Sequence, residues 1–267
     1  MTSIFQRVGD APSIRVDLER GEWKRIQGFT ATDVPVMIYL NGEHLVTTIA
    51  TPEKLKELAV GFLIGQGILK RREEIVDLWV RELEVFVKTD RDVRTSINLY
   101  KTVRAVLEAC GEGELPFLPR LLDRMYKPRV KSDVIFPPEN LVRAIMELNK
   151  RSRTPGTHSA MVFSPSGRIH SFVEDVSRHN AVDKALGEAL LKREDLSDCA
   201  LALTGRVTGS MVLRCARFHV PLIISILRPL YSGIQLARDV GITLIGLARG
   251  KRFNIYTHAE RVLHPHD

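Results

Sequence analysis

"CALALTGRVTGSMVLRCARFHVPLIISILRPLYSGIQLARDVGITLIGLARGKRFNIYT", residues Cys199–Thr257, is the stretch that decides the fold. Its runs CALALT, PLIISIL, ITLIGLA and FNIYT are short and mostly apolar, as buried strands are. Between them, GSMVLRCARF and GIQLARDV place apolar residues at helical spacing. Strands alternating with helices of this length predict a largely parallel sheet with helices on both faces. Ligands on such sheets bind beyond the carboxyl ends of the strands, which directs attention to Thr204-Gly205-Arg206 and to the residues after Gly246.

Upstream, the pattern predicts a helix from Glu139 to about Lys150 and a strand pair, HSAMVF and RIHSFV, around a Ser-Pro-Ser-Gly turn. His158 stands at a strand edge beside a loop. A second helix follows in EDVSRHNAVDKALG, Glu174–Gly187, with Asp175 as its expected N-cap and Val176, Val182, Leu186 and Leu190 as an apolar stripe. His179 and Asp183 are four apart and share a face. A solvated helix with i,i+4 polar pairs, each contributing about 0.2–0.5 kcal/mol, satisfies this spacing as well as an active-site wall does. Support for the wall has to come from His158 and Thr204-Gly205-Arg206.

Toward the N-terminus, PVMIYLNGEHLVTTI reads as a hairpin turned at Asn41-Gly42, since both positions tolerate positive φ. TPEKLKELAVGFLIGQG then predicts a helix, with Thr51 as N-cap, Pro52 at its first position, and Leu55, Leu58, Ala59, Phe62 and Leu63 facing the hairpin. RELEVFVK alternates as a half-buried strand does. Residues 111–138 are rich in proline and scattered charge, as a connection is. The reading is α+β overall, with a small N-terminal α+β domain (1–110), a linker (111–138) and an α/β domain (139–267).

With 267 residues, 44% of them hydrophobic, the chain can bury a sizeable core. No run is long and apolar enough to span a bilayer and no secretion signal is evident, so a cytoplasmic protein without membrane contact is expected. Three cysteines without paired spacing argue against a disulfide scaffold or zinc ribbon. A net charge of +7 and a pI near 9.4 call for an anionic partner. Aromatic residues make up only 6% and do not interleave with basic ones, so nucleic acid is not the expected partner.

LARGKR, the stretch Leu247, Ala248, Arg249, Gly250, Lys251, Arg252, follows an apolar strand with three cations and a glycine. That combination suits a phosphate or pyrophosphate, and equally a solubilising loop. Cys110 ends YKTVRAVLEAC and precedes Gly111. Glu108, Glu112, Glu114 and the negative end of a helix would all raise its pKa, so a reactive thiolate there needs cations from elsewhere. Cys199 and Cys215 lie within apolar elements and read as inert. No structural metal is expected. His158-Ser159-Ala160 lacks the glutamate of a zinc deaminase, no Cys-x-x-Cys follows, and a Gly-x-Ser-x-Gly elbow is missing.

Taken together, VPVMIYLNGEHLVTTIATPEKLKELAVGFLIGQGIL, GTHSAMVF, EDVSRHNAVDK, TGR, ITLIGLARG and YTHAERV resemble the FdhD family, the formate dehydrogenase accessory sulfurtransferases. The resemblance implies a cytidine-deaminase-like α/β domain with a mixed sheet flanked by helices, preceded by the small hairpin-containing domain, in a homodimer. It implies a carrier that takes persulfide sulfur from a cysteine desulfurase. The sulfur is delivered to the molybdenum or tungsten bis(molybdopterin guanine dinucleotide) cofactor of formate dehydrogenase.

In that frame Cys110 matches the reactive cysteine of a Cys-Gly-x-Cys-Gly loop whose second cysteine is here Gly113, which excludes a two-thiol mechanism. LARGKR matches the cofactor-binding segment, with His158 and Arg206 beside it. Asp175, Arg178, His179, Asp183 and Lys184 become supports or walls of the cofactor site. Gln66, Ser177, Ser210 and Arg228 depart from the family pattern. The alternative is a non-catalytic binder or chaperone of the cofactor or of a guanine nucleotide; a zinc deaminase rests on fold analogy alone.

Overall fold

The computed structural model describes residues 6–98, 100 and 128–262. Cys110 and most of the 111–138 connection lie outside the described residues.

In the N-terminal half, β1 (Val8–Asp10) pairs with β4 (Phe29–Ala31), and β2 (Ser13–Asp17) pairs with β3 (Glu22–Ile26) as a separate hairpin. β5 (Val34–Leu40) and β6 (Glu43–Ala50) form the expected hairpin, with Asn41 (φ 52°) and Gly42 (φ 87°) both left-handed at its turn. β7 (Ile75–Arg81) and β8 (Glu84–Thr89) complete a four-stranded sheet in the order β6-β5-β8-β7. β7 was not anticipated: five of its seven residues are apolar, but none is buried, and Val76 and Trp79 are exposed.

Helix α1 spans Leu55–Gly65 and starts later than its sequence suggests. Thr51 is not its cap: its hydroxyl and N–H are spent on Asp175, and a left-handed Lys54 opens the helix instead. The principal neighbour of α1 is α3 (Arg178–Leu191), not only the hairpin. Glycine makes the close crossing, since a Cβ on Gly61 would lie 1.8 Å from the Asp183 carbonyl oxygen and one on Gly187 2.1 Å from that of Glu57.

The second half carries α2 (Pro138–Arg151), β9 (His158–Phe163), β10 (Ile169–Asp175), α3, β11 (Ala200–Leu203), α4 (Gly209–Arg217), β12 (Leu222–Ser225), α5 (Tyr231–Val240), β13 (Thr243–Arg249) and β14 (Arg252–Thr257). They build a six-stranded sheet in the order β10-β9-β11-β12-β13-β14. Only β11, β12 and β13 run parallel; β9, β10 and β14 pair antiparallel, so the sheet is mixed and not largely parallel. Helices cover both faces. α2 packs Leu141, Ile145 and Leu148 on Met161, Phe163, Ala202 and Ile224. α3, α4 and α5 share the opposite face with α1 and the N-terminal sheet in one continuous core, from Val36 and Ile38 through Val182 and Leu186 to Leu201 and Leu244. Among the described residues no helix is long and apolar enough to cross a membrane.

Candidate functional site

EDVSRHNAVDK is neither a solvated helix nor a simple wall. α3 is wedged between the sheet and α1, and every residue from Asn180 to Gly187 is buried. Its polar side chains tie the two halves of the chain together. The Glu174 carboxylate accepts from the backbone N–H groups of Arg153 and Thr154, each at 2.9 Å, and from the Arg7 guanidinium. Asp175 is fully buried and meets the Lys184 ammonium at 2.6 Å, while Lys184 donates to the Thr51 carbonyl and hydroxyl at 2.9 and 2.8 Å.

Asp175 is therefore not the helix cap. Ser177 is, accepting from the Asn180 N–H, and Asp175 instead receives the Ser177 N–H at 2.8 Å. A buried lysine beside a buried aspartate keeps both groups hydrogen-bonded where neither could be tolerated alone. Asp183 pairs with Arg214 at 3.0 Å. Burial outweighs that partner and pushes its carboxyl up to about 6. These residues form buried ties between elements, and Arg214 was not singled out because only tertiary packing brings it to Asp183.

The other candidate residues, His158, Arg206 and the LARGKR segment, lie at the carboxyl ends of the parallel strands. The loops there are zipped together. Leu230 N–H donates to Val207 C=O (2.9 Å), Leu247 N–H to Leu227 C=O (3.2 Å), and the Ser225 hydroxyl to Gly205 C=O (2.7 Å). His158 begins β9 opposite Asp175 at the end of β10, which places both at the same edge. Arg178 starts α3 there, lying against Gly205, where an added Cβ would sit 3.0 Å from the Arg178 Cβ.

The electrostatics of this edge are one-sided. Burial, and then the Arg178 charge, hold His158 below the usual imidazole range against the opposing pull of Asp175. His179 is driven down to about 3 by burial and by Arg214, Arg178 and His158. His179 is thus a neutral ring, with Nε2 3.4 Å from the Ser210 hydroxyl. The buried Nε of Arg178 has no hydrogen-bond partner among the described residues. An enclosed donor without an acceptor is costly, so this nitrogen is available to a ligand oxygen.

Around it stand Arg206, Arg228, Arg249, Lys251 and Arg252, all exposed, and none is ion-paired or hydrogen-bonded through its side chain to a described residue. The helices α3, α4 and α5 all begin at this edge, turning their positive ends toward it. LARGKR itself is the tip of the β13–β14 hairpin, with Arg249 opposite Arg252 and Gly250-Lys251 as the turn. Ala248 is buried in the α2-side core and the Leu247 N–H is taken up by Leu227, so these two hold the hairpin in place while the cations face outward. Arg228 stood in the sequence as a departure; its loop is tied to the LARGKR segment by the bond from the Leu247 N–H to the Leu227 carbonyl, so it shares that edge.

The two described cysteines are unsuited to carry a thiolate. Burial and nearby acids push Cys199 up to about 12, and burial raises Cys215 further. No group of three or more metal-ligating side chains is found among the described residues.

Comparison with known proteins gives a consistent picture. The FdhD/NarQ family profile matches residues 31–263. The chain is 30% identical over 249 residues to the sulfur carrier protein FdhD of Bacillus licheniformis, covering 91% of this chain and 94% of that one. It is 29% identical, with the same coverage, to the sulfur carrier protein FdhD of Bacillus subtilis. The crystal structure of a candidate formate dehydrogenase accessory protein from Desulfotalea psychrophila superposes with a TM-score of 0.77 at 29% identity, covering 97% of this chain and 100% of that one. The chain belongs to the FdhD/NarQ family.

Proposed function

We propose that this chain is a sulfur carrier, delivering persulfide sulfur from a cysteine desulfurase to the molybdenum or tungsten bis(molybdopterin guanine dinucleotide) cofactor of a formate dehydrogenase-type client. The observation that carries the reading is the cationic carboxyl edge with the buried, unpartnered Nε of Arg178 at its floor. The cofactor's pyrophosphates are the chemistry such an edge fits: Arg178 at the floor, Arg206, Arg228 and Arg252 around it, and neutral His158 and His179 as hydrogen-bonding groups. The names of the relatives support sulfur carriage, and the resemblance supports a homodimer.

Cys110 is the carrier in this reading. Its thiolate attacks the outer sulfur of the donor persulfide, the donor S–S bond breaks, the donor cysteine leaves as thiolate, and Cys110 holds the new persulfide. One thiol suffices, so Gly113 in place of a second cysteine is no obstacle. The test is mass spectrometry after incubation with a cysteine desulfurase and cysteine. A single added sulfur mapping to Cys110 is expected, together with loss of client activation in Cys110→Ala. Full activation by Cys110→Ala with no added sulfur would leave the edge as the site of a non-catalytic cofactor binder.

A further inference from the structure

At the far end of α3 from the cationic edge, a cleft of about 300 Å³ opens between the two halves of the chain. Its floor is apolar, made by Ile64, Leu190, Leu196 and Phe218. One rim is a consecutive run of cations, Lys70, Arg71 and Arg72, in the segment joining α1 to β7; the buried Arg217 and the exposed His219 stand on the other side. The side chains of Arg71, Arg72 and His219 make no ion pair or hydrogen bond with a described residue.

Three acids also line the cleft, and two are already engaged. Glu194 binds Arg168 and His170, and Asp195 accepts from the Ser197 N–H and hydroxyl. The cations of the lining, Lys70, Arg71, Arg72 and Arg217, still outnumber Glu73, Glu194 and Asp195, so the cleft is net positive.

We propose that this cleft is a docking site for a partner-protein segment carrying acidic residues around one large apolar side chain. Charge complementarity selects the acids. The cations lie along the chain, not around a point, which suits a linear acidic segment better than a single phosphate. The floor selects the anchor, since burying an apolar side chain there removes both surfaces from water, and an anchor in a pocket is how short segments gain affinity. The volume is at the lower limit for small-molecule sites and holds a side chain or two. The cleft shares no residue with the carboxyl edge, so the proposal stands whether or not sulfur is carried.

The test is fluorescence anisotropy of a labelled peptide, Glu-Glu-Leu-Phe-Glu-Glu, titrated with the full chain. Saturable binding with a Kd on the order of 10 to 100 µM is expected, weakened about tenfold or more by Arg71→Glu with Arg72→Glu. Replacing Leu and Phe of the peptide by Ser is expected to weaken it similarly. The pair Arg249→Glu and Lys251→Glu at the carboxyl edge is expected to change it by less than about twofold, because a screened surface charge acts over only about a Debye length. Arg71 and Arg72 are surface residues, and an unchanged Tm checks that the double variant is folded. Absence of saturation up to about 1 mM overturns the proposal. So does an equal loss with the carboxyl-edge variants, undiminished binding of the Ser peptide, or displacement by inorganic phosphate alone. Concentration-dependent self-association in sedimentation that the Arg71/Arg72 variant abolishes would assign the cleft to a second copy and equally overturn it.

Discussion

His179 shows what a side chain reports once its surroundings are known. Spacing placed it on a face with Asp183 and left its role open. Its half-buried imidazole feels the charges of Arg178, Arg214 and His158, with no carboxylate among the causes of its shift, and burial and those charges take it down to about 3. In the unfolded chain the same ring titrates near 6.5. Between those values the unfolded state binds the proton and the folded state does not, so this group's contribution to stability is present above pH 6.5 and is lost as pH falls toward 3. His179→Gln is expected to flatten the acid side of the stability curve; urea midpoints measured at pH 7 and pH 5 for both proteins check it, and an unchanged difference would remove His179 from the account.

Lys184 makes the complementary case. It is paired with Asp175 at full burial, and Lys184→Met leaves that carboxylate without its cation, which is expected to cost about 3–5 kcal/mol by urea denaturation. The residue identities of this motif were legible early. Their roles were not, because Thr51, Arg214 and Arg7, which give those roles, lie far away in sequence.

At the level of elements, the second half of the chain was largely readable. Buried strands announce themselves as apolar runs, and the helices between them keep a 3.6-residue period. Sheet order and the direction of non-consecutive strands were not readable: the turn pairs HSAMVF with RIHSFV, but nothing local says that HSAMVF also pairs antiparallel with β11. The N-terminal ribbons β1–β4 and β2–β3 gave no signal either, since their side chains are mostly exposed and follow no burial pattern.

The α1–α3 crossing is likewise invisible in either helix alone, because Gly61 and Gly187 look like weak helix formers until the partner helix is in place. Gly61→Ala drives a Cβ into the Asp183 backbone, which cannot rotate away, so the helices must separate and the Asp183–Arg214 pair beneath must shift. The expected cost is about 3 kcal/mol or more, read as a fall in Tm or as insoluble expression. Gly21 has a positive φ and open space around it; Gly21→Asn, which tolerates that conformation, is the control expected to leave Tm nearly unchanged.

For the whole molecule, the +7 charge asked for an anionic partner without saying where it binds. The fold answers by collecting cations from four chain segments at one sheet edge, and it grades them by depth. Arg178 is half-buried, with an enclosed Nε that has no partner among the described residues, while Arg252 sits exposed on a hairpin tip. Depth sets both strength and salt dependence. A surface guanidinium attracts a phosphate through water and is screened within about 8 Å at physiological ionic strength, whereas an enclosed one acts with little screening.

Calorimetric titration with guanosine diphosphate, a probe of the nucleotide part of the proposed cofactor, separates the two. Arg252→Ala is expected to weaken binding a few-fold and to reduce its sensitivity between low and high salt. Arg178→Gln is expected to cost about 2–5 kcal/mol, close to abolishing measurable binding, with a loss that persists at high salt. Equal effects from the two substitutions would mean that the nucleotide rests on the surface of the edge and does not reach its floor.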